Sequence, residues 1–210
     1  METLECIKSR RSVRKFLDIP VEAEKLSNIL EAAQNAPCAG NLQEWKFILV
    51  TDKPARQKVA EACLEQYWIS SAPLVIIACS DPSKPKKFYD EAGERFAIMD
   101  ASAAVENMLL AVHDQGLASC WVSGFEEEML RREFNIPDSV FIIAVLPIGY
   151  PDEKVPVPPK LTLENITFIS SYGNRVKDIA AYMEWYGEHV QKVIKKGKEL
   201  VKKFVKKLGE

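Results

Sequence analysis

A stretch that is apolar on nearly every face of a helix must be buried on nearly every face, and residues 96–115 form such a stretch. Ile98, Met99, Ala103, Val105, Met108, Leu109, Leu110 and Val112 leave no wide polar stripe at helical period, and Gly116 stops the run. The spacing predicts a central or interface helix around which the other elements are arranged. Just before it, after Pro73, comes Leu74-Val-Ile-Ile-Ala-Cys-Ser80, a continuous apolar run of strand length. Such a run fits a strand covered on both faces. Further strands are expected at 46–51, 118–123 and 140–148, and helices at 2–9, 20–36, 54–66 and 126–134. Strands and helices alternate, so the class is α/β or α+β, with helices packed on a sheet.

A chain of 210 residues with 47% hydrophobic side chains and a net charge of -2 can support a packed core, which excludes a disordered chain. No uninterrupted apolar run reaches the roughly 18 residues of a membrane span, and Met1–Arg14 is charged, without a signal-type apolar core. The expectation is a cytoplasmic protein outside the membrane. Five cysteines without a Cys-x-x-Cys pair argue against a disulfide scaffold or a zinc cluster. Two histidines, His113 and His189, argue against metal catalysis and His-based nucleophilic triads. No Gly-x-Gly-x-x-Gly or Walker loop occurs, so neither a Rossmann nor a P-loop reading is supported. Chemistry here is expected to need a bound cofactor, held some other way.

Charge is unevenly placed. His189–Glu210 holds eight lysines against two glutamates, a balance of +6 that leaves -8 on residues 1–188. Val190, Val193, Ile194, Val201, Phe204, Val205 and Leu208 fall on one helical stripe of that tail. The expected role is a terminal helix docking its stripe on the body or on a second subunit, with lysines in water. A basic amphipathic helix lying on acidic membrane or RNA is the alternative. Pro151–Pro159 reads as an extended linker.

Four segments could carry chemistry. Arg10-Arg11-Ser12-Val13-Arg14-Lys15 packs four cations and a hydroxyl into six residues, an anion site or a solvated basic turn. Pro37-Cys38-Ala39-Gly40-Asn41-Leu42-Gln43-Glu44-Trp45 combines small residues with two amides, which suit the edge of a planar heterocycle or simply satisfy a loop. In Cys120-Trp121-Val122-Ser123-Gly124-Phe125-Glu126 a strand runs into a helix start, where main-chain N–H groups point outward; Ser123 could equally be a cap. Lys160 follows the stiff arm Val155-Pro-Val-Pro-Pro159 and either completes an anion site or is a surface lysine.

In this order the segments resemble the FMN-dependent nitroreductase family. Arg10–Phe16 matches its Arg-Arg-Ser-x-Arg-x-Phe motif. Pro37–Trp45 matches Pro-Ser-x-x-Asn-x-Gln-Pro-Trp with Cys38 for serine and Glu44 for proline. Gly116–Phe125 matches Gly-Leu-x-x-x-Trp-x-x-Gly-Phe, and Leu146–Pro151 matches Leu-Pro-x-Gly-Tyr-Pro. The resemblance covers residues 1–175 and implies an α+β fold of layered-sandwich type, with a mostly antiparallel sheet flanked by helices. Residues 176–210 then form a C-terminal, lysine-rich helical extension.

The resemblance also implies a homodimer with FMN at the interface. Arg10, Ser12 and Lys160 hold the phosphate and ribityl chain, Arg11 is a further cofactor-binding residue, and Arg14 lies near N1 and O2 of the flavin. Pro37, Cys38 and Ala39 come from the partner subunit, and Asn41 lies at the pyrimidine edge. Main chain at Val122, Ser123 and Gly124 faces N5 and O4. No side chain is expected to be catalytic and no metal is expected, since flavin N5 carries the chemistry. Electrons pass from NAD(P)H to nitroaromatics, quinones or flavins in a ping-pong scheme, with no nucleic acid or membrane partner. Alternatives on the same scaffold are reductive dehalogenation, under a lid formed by 80–94, and flavin or disulfide reduction, the last using Cys38. Outside it stands a non-enzymatic RNA- or membrane-surface protein.

Overall fold

The computed structural model describes residues 1–208, which divide into two compact units, Met1–Val157 and a second that begins at Pro158. The division falls within the proline-rich arm, which forms neither helix nor strand.

The first unit has three layers. Its sheet consists of β1 (Trp45–Val50), β2 (Leu74–Ser80), β3 (Ala118–Ser119) and β4 (Phe141–Gly149). The strand order is β1-β2-β4-β3, every named pair being antiparallel. All seven residues of β2 are buried, as its unbroken apolar run requires. Leu74, Ile76 and Ala78 meet Ala144, Leu146 and Ile148 on one face, under α2 (Ala23–Gln34) and α5 (Ala92–Asp114). Val75, Ile77 and Cys79 face the other way, toward α3 (Lys53–Ala62) and α6 (Glu127–Phe134). The α5 helix is long and apolar enough in composition to cross a bilayer. Here Ala97, Ala101, Ala104, Val105, Met108, Leu109 and Val112 are buried in the protein core.

Three segments depart from the sequence reading for local reasons. The α3 helix stops at Ala62, not at 66, because Leu64 and Glu65 both take a left-handed φ of 57°. The ladder expected over 118–123 is regular only at Ala118–Ser119, although its register resumes at Val122↔Val145. Continued, that register puts Pro147, which has no N–H to give, opposite Cys120. The possible lid over 80–94 is helical, as α4 (Ser83–Tyr89), and sits against the start of α5. A Cβ on Gly93 would stand 2.4 Å from the Pro85 carbonyl carbon, so only glycine permits that approach.

At the amino end α1 (Thr3–Ser9) lies against α5, and the Cys6 thiol donates to the Leu110 carbonyl at 3.4 Å. The second unit contains α7 (Leu163–Ile166) and α8 (Ile179–Leu208), a 30-residue amphipathic helix. Exposed Met183, Tyr186, Val193, Ile194 and Val201 form part of its stripe. The side chains of Phe204, Val205 and Leu208, also expected there, lie outside the described residues.

Candidate functional site: two half-sites at opposite corners of the sheet

The arginine motif is held by its apolar members. Val13 and Phe16 are buried against Ala72 and Ala118, and Val13 N–H donates to the Ser119 carbonyl at 3.1 Å. Ser12 thereby forms a parallel bridge with Ser119, and Phe16 an antiparallel one with Pro151. Extended chain alternates its side chains, so pinning Val13 inward turns Ser12 and Arg14 the other way. Glu153 Oε1 accepts from the Arg14 N–H at 2.6 Å and the Lys15 N–H at 3.1 Å, fixing the backbone beyond. The Arg14 guanidinium lies 5.7 Å from the centre of the Trp68 ring, a cation–π contact that aims its charge.

Cys120 reports how closely this corner is built. Burial pushes its thiol up, while the Arg14 charge, the Ser12 hydroxyl and the Arg10 charge work in the opposite direction. Ser12 bridges Ser119 at the end of β3, and Arg10 and Arg14 stand two residues to either side of it in the chain. Arg11 points elsewhere: its Nη1 donates at 2.7 Å to both the Lys8 and Arg10 carbonyls, covering the end of α1. Its side borders a cavity of about 300 Å³ shared with Ser9, His113 and Glu153.

The strand-to-helix junction completes the corner. Val122 is buried and exchanges both main-chain hydrogen bonds with Val145. Trp121 Nε1 donates to Ser123 Oγ at 2.8 Å, so the serine hydroxyl serves the indole rather than capping α6. The N–H groups of Ser123 and Gly124 make no hydrogen bond among the described residues, and both residues are exposed. A Cβ on Gly124 would lie 3.5 Å from Leu64 and 3.9 Å from Gln66. The segment 64–68 thus borders the site, with Trp68 under Arg14 and Gln66 near Gly124. Sequence reasoning missed it, because neither Leu64 nor Glu65 is a residue that signals left-handed backbone. The aromatic pair Tyr67-Trp68 was the available hint.

Pro37–Glu44 forms a different corner. Pro37 follows α2, and Ala39–Asn41 is a 3-10 turn leading to β1. Ala39 N–H donates to Asp100 Oδ2 at 2.8 Å, tying the loop to α5. Gln43 Nε2 donates to Asn41 Oδ1 at 3.2 Å, so the two amides pair with each other. Cys38 is half-buried.

The two corners do not meet within one chain. β1 and β3 are opposite edges of the sheet, three strand spacings or about 14 Å apart. Along the strands, Trp45 shares its row with Ser80 and Phe141, whereas Ser119 pairs with Ile148. That separation is roughly 24 Å of strand at Ser119 and about 13 Å at Val122, which pairs with Val145. Arg10, Ser12, Arg14, Val122, Ser123 and Gly124 belong to one half-site, and Pro37, Cys38, Ala39 and Asn41 to the other. Lys160 is exposed and belongs to the second unit.

The first half-site presents donors: two guanidinium groups, a hydroxyl and two free main-chain N–H groups. Glu153, the carboxylate at its border, is already committed to N–H groups. Donors of this kind fit a phosphate monoester attached to an acceptor-edged ring, which is the chemistry of FMN.

Comparison with known proteins leads to the same place. The model of the nitroreductase family matches residues 7–81 and 64–150. The NADH dehydrogenase of Thermus thermophilus is 31% identical over 185 residues, covering 75% of this chain and 90% of that protein. The FMN reductase (NAD(P)H) of Bacillus subtilis is 27% identical over 210 residues, covering 91% and 84% respectively. Among solved structures, an FMN-dependent nitroreductase from Clostridium difficile is similar with a TM-score of 0.69 at 29% identity, covering 80% of this chain and 99% of that one. A layered α+β fold, four sequence motifs in family order and a match from residue 7 to residue 150 place the chain in the nitroreductase family.

Proposed function

We propose that the chain is an NAD(P)H-dependent FMN oxidoreductase, working as a homodimer that binds one flavin in each of two shared sites. The observation that carries this reading is the placement of the two half-sites at opposite corners of the sheet. A two-fold axis can bring one subunit's Pro37–Asn41 loop against its partner's arginine corner, and each site is then completed twice. Exposed apolar side chains on α1 (Leu4, Ile7) and α5 (Ile98, Met99) supply a face for that association.

In this arrangement Arg10 and Ser12 grip the phosphate and ribityl end, where guanidinium forks match phosphate oxygens. Arg14, steadied by Trp68, places a fixed positive charge beside the pyrimidine end of the ring. Main-chain N–H groups of Ser123 and Gly124 donate to the ring edge, and Asn41 faces it from the second subunit. When bound, the flavin supplies the two-electron chemistry, so the protein needs no side-chain acid or base. NAD(P)H and the acceptor take turns on the same open face. Flat, electron-poor molecules such as nitroaromatics, quinones and free flavins are the acceptors.

The test is direct. The purified protein is yellow, carries one FMN per subunit, sediments as a dimer and gives parallel initial-rate lines when NAD(P)H and acceptor are varied. Colourless protein with no affinity for added FMN defeats the reading; intersecting lines defeat the shared-face scheme.

A further inference from the structure

Glu44, which stands where the family motif has proline, is 2% exposed, and neither carboxyl oxygen has a hydrogen-bond partner among the described residues. A buried carboxylate with no donor is costly. The group it faces is a second carboxyl, Asp100 of α5, whose Oδ2 accepts the Ala39 N–H at 2.8 Å. Lys46 is the nearby cation, but its Nζ donates to the Trp45 carbonyl at 3.2 Å. Asp81, whose N–H donates to the Glu44 carbonyl, has its own carboxylate occupied by the Ser83 N–H at 2.9 Å. Apart from the pull of its own main-chain N–H, no donor among the described residues serves the Glu44 side chain unless it carries its own proton.

The loop above this pair is in unusual backbone. Gly40, Asn41 and Gln43 have φ of 59°, 55° and 51°, and a Cβ on Gly40 would stand 2.8 Å from Tyr89 Oη. Left-handed residues at such density persist only where surrounding contacts over-determine them. The Ala39–Asp100 bond is one of those contacts, and Asp100 is the residue that Glu44 faces.

We propose that Glu44 and Asp100 share a single proton, and that this shared proton holds the Cys38–Gln43 loop in the shape that meets the flavin of the second subunit. The assignment rests on the function proposed above, and Glu44 acts through Asp100 and Ala39 as a positioning residue. Protonated Glu44 donates its O–H to the Asp100 carboxylate, which goes on accepting from Ala39. Loss of that proton to solvent leaves two carboxylates face to face without a donor between them, and the tether on the loop slackens. Burial, followed by the Asp100 charge, pushes the Glu44 carboxyl up to about 7, against the opposing pull of its own main-chain N–H and Lys46. The proton therefore leaves in the neutral range.

The sign of the pH effect follows. The folded value lies above the ordinary 4.5, so between the two the folded chain holds a proton that the unfolded chain has lost. This contribution to stability declines as pH rises from 4.5 to about 7 and is flat above. The experiment uses the full chain, wild type and Glu44→Gln, at pH values from about 5 to about 8.5. It reads thermal melting of the flavin-free protein and FMN affinity by quenching of flavin fluorescence. Glutamine keeps an N–H donor toward Asp100 and does not titrate.

The wild-type melting temperature is expected to fall toward neutral pH, and FMN binding to weaken roughly five-fold between about pH 6 and 8, the value of one hydrogen bond. Glu44→Gln flattens both curves and keeps the tight binding at pH 8. Should Glu44→Gln fail to fold, Asp100→Asn takes its place: removing the facing charge moves both transitions to lower pH. FMN binding that does not vary with pH in the wild type, or a Glu44→Gln curve parallel to it, overturns the shared proton. Absence of FMN binding at every pH overturns the functional reading instead.

Discussion

At the scale of single residues the first half-site depends on groups that hold other groups. Arg14 is exposed and mobile in principle, yet Trp68 fixes its head and Glu153 its backbone. Arg56, a buried arginine of α3, holds the end of the 3-10 turn Tyr67–Ser71 that carries Trp68, its Nη1 donating to the Ser70 and Ala72 carbonyls. Two predictions follow from this order. Arg14→Ala removes a charge-assisted contact and weakens FMN binding by about ten-fold or more without lowering the melting temperature, as measured by flavin titration and calorimetry. Arg56→Met strands two carbonyls and costs about 2–3 kcal/mol of stability, measured by denaturant titration, and loosens FMN as well. A melting temperature unchanged by Arg56→Met would remove it from this chain of support.

At the scale of elements, periodicity carried far because burial here is organised by layers. The unbroken run 74–80 is a strand with α2 and α5 over one face and α3 and α6 over the other, and the apolar helix over 96–115 is the core of α5, although Ile98 and Met99 of its run are exposed. Met108 is fully buried at the centre of that helix, so Met108→Ala is expected to cost about 2–5 kcal/mol in a reversible melt. What pattern could not carry was any feature set by a partner distant in sequence. The left-handed pair Leu64–Glu65, which sets Gln66 and Trp68 beside the site, has no glycine or asparagine to announce it. Arg11 looked equivalent to Arg10 and Arg14 in a run of cations, but its guanidinium turns to the carbonyls at the end of α1. That Ser12 and Arg14 turn to the side opposite Val13 was legible, because alternation along the extended segment is fixed locally. That Asn41 sits in the other corner was not, since strand order, and not spacing, decides it.

At the scale of the whole molecule, association and cofactor binding are one equilibrium in the proposed dimer, and each must strengthen the other by the same factor. Replacing Ile98 and Met99, both exposed on α5, with glutamate is expected to yield monomers that fold but release FMN. Sedimentation and flavin content read together check this, and a flavin-loaded monomer would contradict it. The diagonal separation of the half-sites has one more consequence. A chain disabled at Arg10 and Arg14 still owns a sound Pro37–Asn41 loop, and a chain disabled in that loop still owns sound arginines. Either variant alone is dead, but unfolding and refolding them together produces heterodimers with one fully intact site, so two inactive preparations recover activity on mixing.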